Sequence, residues 1–176
     1  MRMDWITIAG NGEPTMHPQF AKAVDMVIKF RDRYLYKVPV GILSNSSTCY
    51  RPEIRAVLLK LDGRFMKLDA GNLEIFNQIN RPIPLEGWER MVRGLRDLKS
   101  CVLQSMFIMG RVDNTKPKDI DDWIRQVDMI RPEAVQVYTT QRSTRDTCIL
   151  PAPREKLKEI AARLLQKTKI PAEVYG

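Results

Sequence analysis

The sequence predicts an α/β fold with a parallel sheet, and two patterns support this. Six short and nearly continuous apolar runs alternate with six segments in which apolar residues recur every three or four positions. Continuous apolar runs are typical of strands buried on both faces, and amphipathic segments are typical of the helices that cover them. A chain of 176 residues can bury a core of its own, so residues 1–176 are expected to form a single domain.

The individual elements follow from these patterns and from the prolines between them. Pro18 and Pro52 stand near the starts of two predicted helices, and Pro82 ends another. The predicted strands cover residues 4–10, 37–45, 64–71, 100–110, 133–142 and 170–175. The predicted helices cover residues 17–34, 51–61, 72–82, 85–98, 117–130 and 153–167. Six strands are too few for an eight-stranded barrel, so the pattern alone leaves both an open doubly wound sheet and a partial barrel possible.

Composition excludes a membrane-spanning protein and sets the expectation of a cytoplasmic one. Apolar residues make up 44% of the chain and charged residues 28%, and no apolar stretch approaches the ~20 residues that span a bilayer. The chain runs from Met1 straight into its first strand without a signal peptide. The net charge of +8 is compatible with a nucleic-acid partner such as tRNA. Because the basic residues are spread over every helix, a solvated basic surface is the favoured interpretation.

Small polar residues follow each of the first five predicted strands. These loops are 10–13, 44–47, 69–71, 110–114 and 139–142. The carboxyl ends of parallel strands meet at one edge of a sheet, which is where ligands bind in such folds. Polar loops are common on any surface, but five in succession predict a ligand site at this edge.

Two charged residues on the third strand need a partner. Lys67 and Asp69 are two positions apart and therefore point to the same face, away from the apolar Met66 and Leu68. A lysine directed into the fold is costly unless it is paired. We favour a structural ion pair of Lys67 with Asp69 or Glu13. The alternative is a contact with a substrate carboxylate, or a role as proton donor.

Four ordered motifs carry a resemblance to a known family. They are GNGEPTMHPQF at 10–20, LSNSS at 43–47, KLDAGNLEIFNQINRP at 67–82 and GRVDNT at 110–115. Together they resemble the radical S-adenosylmethionine (radical SAM) enzymes, in particular the iron–sulfur oxidoreductases related to wyosine-type tRNA modification. The resemblance implies a TIM-barrel-like, partial (β/α) barrel of about six parallel strands.

The resemblance also implies which residues bind S-adenosylmethionine. Gly12, Glu13 and Pro14 would meet its methionine part, with Glu13 as a charged hydrogen-bond acceptor. Asn45 would reach the carboxylate or the ribose, and Asp69 the ribose. From the residues alone, Glu13 is equally a carboxylate at a helix N-terminus.

Neighbouring residues are interpreted without a ligand. His17 is expected to cap or pack at the helix start. A dinucleotide fold is rejected because Thr15 stands where Gly-x-Gly-x-x-Gly needs its third glycine.

The family also requires a Cys-x-x-x-Cys-x-x-Cys loop that holds a [4Fe–4S] cluster, and this sequence contains no such loop. The chain has three widely spaced cysteines, Cys49, Cys101 and Cys148. Cys49 and Cys148 are expected in loops at the ligand face, and Cys101 at the start of the fourth strand, at the opposite end of the sheet. We therefore interpret them as cysteines without a role in cluster binding.

The resemblance therefore implies a barrel body that lacks the family's first βα unit, with an open sheet edge suited to self-association or to a partner. The predicted function is the body of a radical SAM enzyme whose cluster ligands are absent from this chain. The alternative is a ligand-binding or partner-dependent half-barrel without a cluster.

Overall fold

The computed structural model describes residues 3–81, 87–141 and 148–176, and its elements follow the predicted order. The strands are β1 Ile6–Ile8, β2 Val40–Ser44, β3 Gly63–Lys67, β4 Val102–Met106, β5 Ile108–Gly110, β6 Ala134–Tyr138, β7 Ile149–Pro151 and β8 Ala172–Tyr175. The helices are α1 Phe20–Tyr34, α2 Pro52–Leu58, α3 Leu73–Asn80, α4 Trp88–Leu98, α5 Pro117–Ile130 and α6 Arg154–Thr168, with a 3₁₀ turn at Pro14–Met16. Pro82, the predicted end of α3, lies outside the described residues.

The sheet is a parallel partial barrel, as predicted from the resemblance. Its six strands are ordered β1-β2-β3-β4-β6-β8, and every neighbouring pair is parallel. A doubly wound sheet reverses its strand order part-way, whereas this order advances in one direction. Right-handed crossovers in one direction place all helices on the same side of the sheet. Within the described chain, β1 and β8 are the two edges.

Burial confirms that the helices cover only one face. The side chains of one face are fully buried against the helices: Val40, Ile42, Met66, Leu103, Val135 and Val137. The alternate side chains of the same strands are half-buried or exposed. This second, concave face corresponds to the inside of a barrel, and it is the surface on which ligands have room to bind.

Strand register arranges the concave face in layers. Lys67 pairs with Gln104, Gln104 with Gln136, and Gln136 with Glu173, which gives one polar residue per strand at the same level. We call these four residues the polar row.

The layers on either side of the polar row are mainly apolar. Toward the carboxyl ends of the strands, Met106, Tyr138 and Tyr175 are in register. On the other side, Trp5 packs edge-to-face on Phe65 with ring centroids 5.9 Å apart. The polar row is therefore bounded above and below by large apolar or aromatic side chains.

One feature of the fold differs from the prediction. The single strand predicted over 100–110 is interrupted at Phe107, and its second part, β5, leaves the sheet to pair antiparallel with β7. β5 and β7 are three residues each, too short to show a periodic pattern.

Gly71 meets α5 so closely that a Cβ there would lie 2.0 Å from the Trp123 backbone nitrogen.

Within the described residues, no helix is both long enough and apolar enough to cross a membrane.

Candidate functional site

The loop after β1 is fastened to the loop after β2 by one carboxylate. Glu13 Oε1 accepts hydrogen bonds from Ser44 Oγ at 2.8 Å and from Thr15 Oγ1 at 2.6 Å. Glu13 Oε2 accepts the backbone N–H of Asn45 at 2.6 Å. Thr15 in turn contacts Thr48 through their hydroxyl groups. Four donors in all converge on Glu13, since the Thr15 backbone N–H also reaches Oε1 at 3.2 Å.

Glu13 also caps a helix, as the alternative interpretation expected. It is the N-cap of the 3₁₀ turn Pro14–Met16, and its side chain accepts the Thr15 N–H. His17 Nδ1 accepts the backbone N–H of Gln19 at 3.1 Å, immediately before α1. The expectation that His17 caps the helix start is therefore confirmed.

A cavity of about 370 Å³ opens beside this loop. Four of the five predicted binding residues line it: Gly12, Glu13, Pro14 and Asn45. Lys67 and Gln104 of the polar row form its floor. The size lies within the usual range for small-molecule sites. The structure therefore brings together the turn, the β2 loop and the concave face around one space.

Gly12 has no packing reason within the protein to be glycine. A Cβ built on it would meet no atom within 4 Å, and its φ lies outside the positive range that favours glycine. The side chain of Asn45 is exposed, and its Oδ1 accepts the Ser47 backbone N–H at 2.9 Å. Both residues therefore present open surface to the cavity.

Asp69, the fifth predicted binding residue, is placed differently. Its side chain has 0% exposure and does not line the cavity, so a direct ribose contact is not available in this conformation. Oδ1 accepts the Met106 backbone N–H at 2.8 Å, and Oδ2 lies 3.1 Å from Lys67 Nζ. The favoured ion pair is thus present, with Asp69 rather than Glu13 as the partner.

The environment of this pair fixes the charge of Lys67. Burial raises the pKa of Asp69, and the ammonium of Lys67 opposes that rise. Burial alone lowers the pKa of Lys67, but Asp69 and, to a smaller extent, Tyr138 together outweigh it and the net pKa is raised. Lys67, whose side chain is 33% exposed, therefore presents a protonated amine to the cavity.

Sequence reasoning did not identify Asn114, although its motif was noted. The Asn114 side chain is buried, and its Nδ2 donates to the backbone oxygens of Asp69 and Met106, each at 2.8 Å. Its Oδ1 accepts the Ile108 N–H at 2.8 Å. One amide thus holds the end of β3 against β4 and β5. Only the fold, which brings residues 69 and 114 together, shows this role.

The cysteines do not form a cluster site. Burial raises the pKa of Cys49 and of Cys101 to about 12, so both thiols stay protonated near neutral pH. Cys148 is exposed. Among the described residues, no group of three or more His, Cys, Asp or Glu side chains could hold a metal ion.

Basic residues near the cavity mouth are only partly described. Arg111 and Arg81 line a separate cavity of about 340 Å³ between the end of α3 and β5. Arg142 and Arg145 lie outside the described residues.

Comparison with known sequences identifies relatives that are longer than this chain. No family model matches this sequence. It is 32% identical over 171 residues to a protein named GTPase Obg from Brachyspira hyodysenteriae, covering 95% of this chain and 23% of that protein. It is 26% identical over 178 residues to a UPF0026 protein of Methanocaldococcus jannaschii, covering 96% of this chain and 53% of that protein. The chain therefore spans about a quarter to a half of the length of these relatives.

Comparison with solved structures identifies the fold. A domain of a pyruvate-formate lyase-activating enzyme from Bacteroides vulgatus superposes with a TM-score of 0.72 over 98% of this chain and 99% of its own, at 14% identity. A radical SAM methyltransferase from Sphaerobacter thermophilus gives 0.70 over 99% of this chain and 51% of its own, at 13% identity. The chain has the fold of radical SAM enzymes. SuiB of Streptococcus suis, solved with S-adenosylmethionine bound, matches this radical SAM fold at 0.67 over 97% of the chain and 39% of its own, at 12% identity.

Proposed function

We propose that this chain is the body of a radical SAM enzyme and that it binds S-adenosylmethionine in the cavity at the ends of β1, β2 and β3. The observation that carries the proposal is the Gly12–Glu13–Pro14 turn, tied by Glu13 to the β2 loop beside a cavity of about 370 Å³. The fold shared with SuiB, which was solved with this ligand, supports it.

Each lining residue has a group suited to one part of this ligand. The open space at Gly12 lets a ligand approach the backbone without meeting a side chain. Glu13 Oε2 accepts the Asn45 backbone N–H and has further acceptor capacity for the ligand ammonium. The protonated Lys67 on the cavity floor suits the ligand carboxylate. Asp69 acts through Lys67, by holding its ammonium in place.

The iron–sulfur cluster of the family does not fit the described residues. Two of the three cysteines are buried and protonated, and no described cluster of side chains could bind a metal. We therefore assign no radical step to this chain, and we propose that cluster ligands come from outside it. The edge strand β1 is the place where a further strand, from this protein or from a partner copy, would pair.

The finer assignments belong to the same proposal. The wyosine-related subgroup rests on the four sequence motifs, and a tRNA substrate on the net charge of +8. A GTP-binding function, which the name of one relative raises, is not proposed. The sequence contains no Gly-x-x-x-x-Gly-Lys-Ser/Thr motif to cradle the phosphates.

A second candidate is a binding module without radical chemistry. It is favoured by the same finding on the cysteines, since no described group of side chains could hold a metal ion. The two candidates share the cavity and differ only in whether a cluster is ever supplied.

A single substitution tests the shared cavity with little disturbance of the fold. Because a Cβ at Gly12 would meet no protein atom within 4 Å, we expect Gly12→Val to fold normally while its methyl groups fill the ligand space. We expect calorimetric titration of the wild-type chain to detect S-adenosylmethionine binding, and Gly12→Val to abolish it. Gly87→Val is the matched control, since a Cβ there also meets nothing. Absence of binding heat at millimolar ligand in the wild type, or equal binding by Gly12→Val, would refute the proposal.

A further inference from the structure

A second and larger cavity lies on the other half of the concave face. Its volume is about 580 Å³, and it meets the first cavity only at Gln104. Its described lining contains three glutamines, two tyrosines and two threonines, with Met106 as the one apolar residue. None of these described residues is charged, in a chain with 50 charged side chains, the sum of 29 basic and 21 acidic residues. The described part of this lining therefore offers hydrogen-bonding groups and no charged side chain.

Two of the glutamines form a paired amide surface at the centre of this cavity. Gln104 Nε2 donates to Gln136 Oε1 at 2.8 Å, across neighbouring strands that hold the two residues in register. A primary amide has two N–H donors and two acceptor lone pairs on its oxygen. Gln136 also hydrogen-bonds the Tyr175 hydroxyl. After these two bonds, the pair still offers N–H groups and carbonyl lone pairs side by side.

The two charged residues of the polar row, Lys67 and Glu173, lie at its ends and both contact other side chains. Glu173 accepts a hydrogen bond from the Tyr175 hydroxyl at 2.5 Å. Lys67 Nζ lies 3.1 Å from the Asp69 carboxylate. The charges therefore lie at the two ends of the row and have partners, while the neutral amides occupy its middle.

Flat surfaces adjoin the amide pair. Tyr138 and Tyr175 are in register one level above Gln136 and both line the cavity. Aromatic rings and amide planes pack well against planar polar groups. The site thus combines donors and acceptors at one level with ring faces at the next.

We propose that this cavity binds an uncharged, planar, amide-bearing group, read by Gln104 and Gln136. An N–H beside a C=O on the ligand would match an acceptor and a donor of the glutamine pair, whereas a carboxylate has no donor and would leave the glutamine acceptor oxygens unmatched, and no described residue of the lining carries a compensating charge. We take this group to be part of the substrate of the proposed enzyme, and only that step rests on the proposed function. The binding site itself does not depend on S-adenosylmethionine.

Two probes that differ in one group test the chemistry. N-acetylglycinamide is neutral, and N-acetylglycine carries a carboxylate in place of the terminal amide. In ¹H–¹⁵N spectra of the full chain, we expect the amide probe to shift the side-chain signals of Gln104 and Gln136. We expect the carboxylate probe to bind about tenfold more weakly, the equivalent of one lost hydrogen bond. Equal binding of the two probes would overturn the proposal.

A variant and its control test the residues. Gln136→Leu removes the amide at similar size and should weaken N-acetylglycinamide binding about tenfold. Gln166→Leu makes the same change on the exposed side of α6 and should have no effect. Unchanged binding by Gln136→Leu, with its fold confirmed by the rest of the spectrum, would contradict the assignment.

Two further titrations identify the source of the amide group and distinguish failure of this inference from failure of the proposed function. Uridine offers the same neutral amide chemistry in a nucleobase, so tighter binding of uridine than of N-acetylglycinamide would assign the ligand to that source, and the reverse to a peptide-like amide. S-Adenosylmethionine binding should be unchanged in Gln136→Leu, because Gln136 does not line the first cavity. Loss of S-adenosylmethionine binding alone would count against the proposed function, and loss of amide binding alone against this inference.

Discussion

Replacing Glu13 should measure how strongly one carboxylate ties two loops together. In Glu13→Ala, the bonds from Ser44 at 2.8 Å and from Asn45 at 2.6 Å are lost, and two Thr15 donors lose their acceptor. A hydrogen bond to a charged group contributes about 1.5–3 kcal/mol. The hydroxyls of Thr15 and Ser44 keep their contacts with the Thr48 hydroxyl and the Ser46 N–H, so they are not left unpaired. Since Glu13 is only half-buried, we take the lower end for the two inter-loop bonds, and the expected loss is about 3 kcal/mol in the free energy of unfolding.

Urea denaturation of three variants checks this magnitude. Glu13→Gln keeps Oε1 for three donors but turns an N–H toward the Asn45 N–H, so we expect about half the loss of Glu13→Ala. Glu159→Ala is the control, because Glu159 is exposed and forms only a surface pair with Lys156, which is worth about 0.5 kcal/mol or less. If Glu13→Ala were no more destabilising than Glu159→Ala, the carboxylate would not be the tie between the loops.

Three other predictions concern the packing around the sheet. Gly71→Ala should lower the thermal midpoint by several degrees, because its Cβ would lie 2.0 Å from the Trp123 backbone nitrogen and α5 would have to move; an unchanged melting curve would show that α5 yields freely. Asn114→Ala should cost about 3 kcal/mol in urea unfolding, because three buried backbone groups lose their partners; a cost below about 1 kcal/mol would mean that water replaces the amide. Burial raises the pKa of Cys49 and of Cys101 to about 12, so the unfolded chain releases protons above about pH 9 that the native chain keeps. Stability should therefore fall as pH rises from about 9 to 12, and a Cys49→Ala, Cys101→Ala double variant should show a shallower fall; an equal slope in both proteins would contradict burial of the thiols.

The polar loops and the turn at Gly12, Glu13 and Pro14 were predictable because their signals are local. Alternating apolar runs and amphipathic segments give the order of strands and helices, and parallel strands bring the polar loops to one edge. Gly12, Glu13, Pro14 and Asn45 follow directly from this reasoning and from the motifs, and they do line one cavity. Which group would contact a ligand was less predictable, because it depends on how deeply each side chain is buried. Asp69 lies behind Lys67 for that reason.

The sequence by itself determined the α/β alternation, the layout of the elements and the edge of the sheet that carries the loops, since each of these depends on residues close together in the chain. The tertiary structure alone decided the pairing of residues far apart: Glu13 with Ser44, Asn114 with Asp69, and Gln104 with Gln136. Strand register sets these partners, and register is fixed by the packing of the whole sheet against its helices. No local pattern encodes it, and both the polar row and the second cavity follow from it.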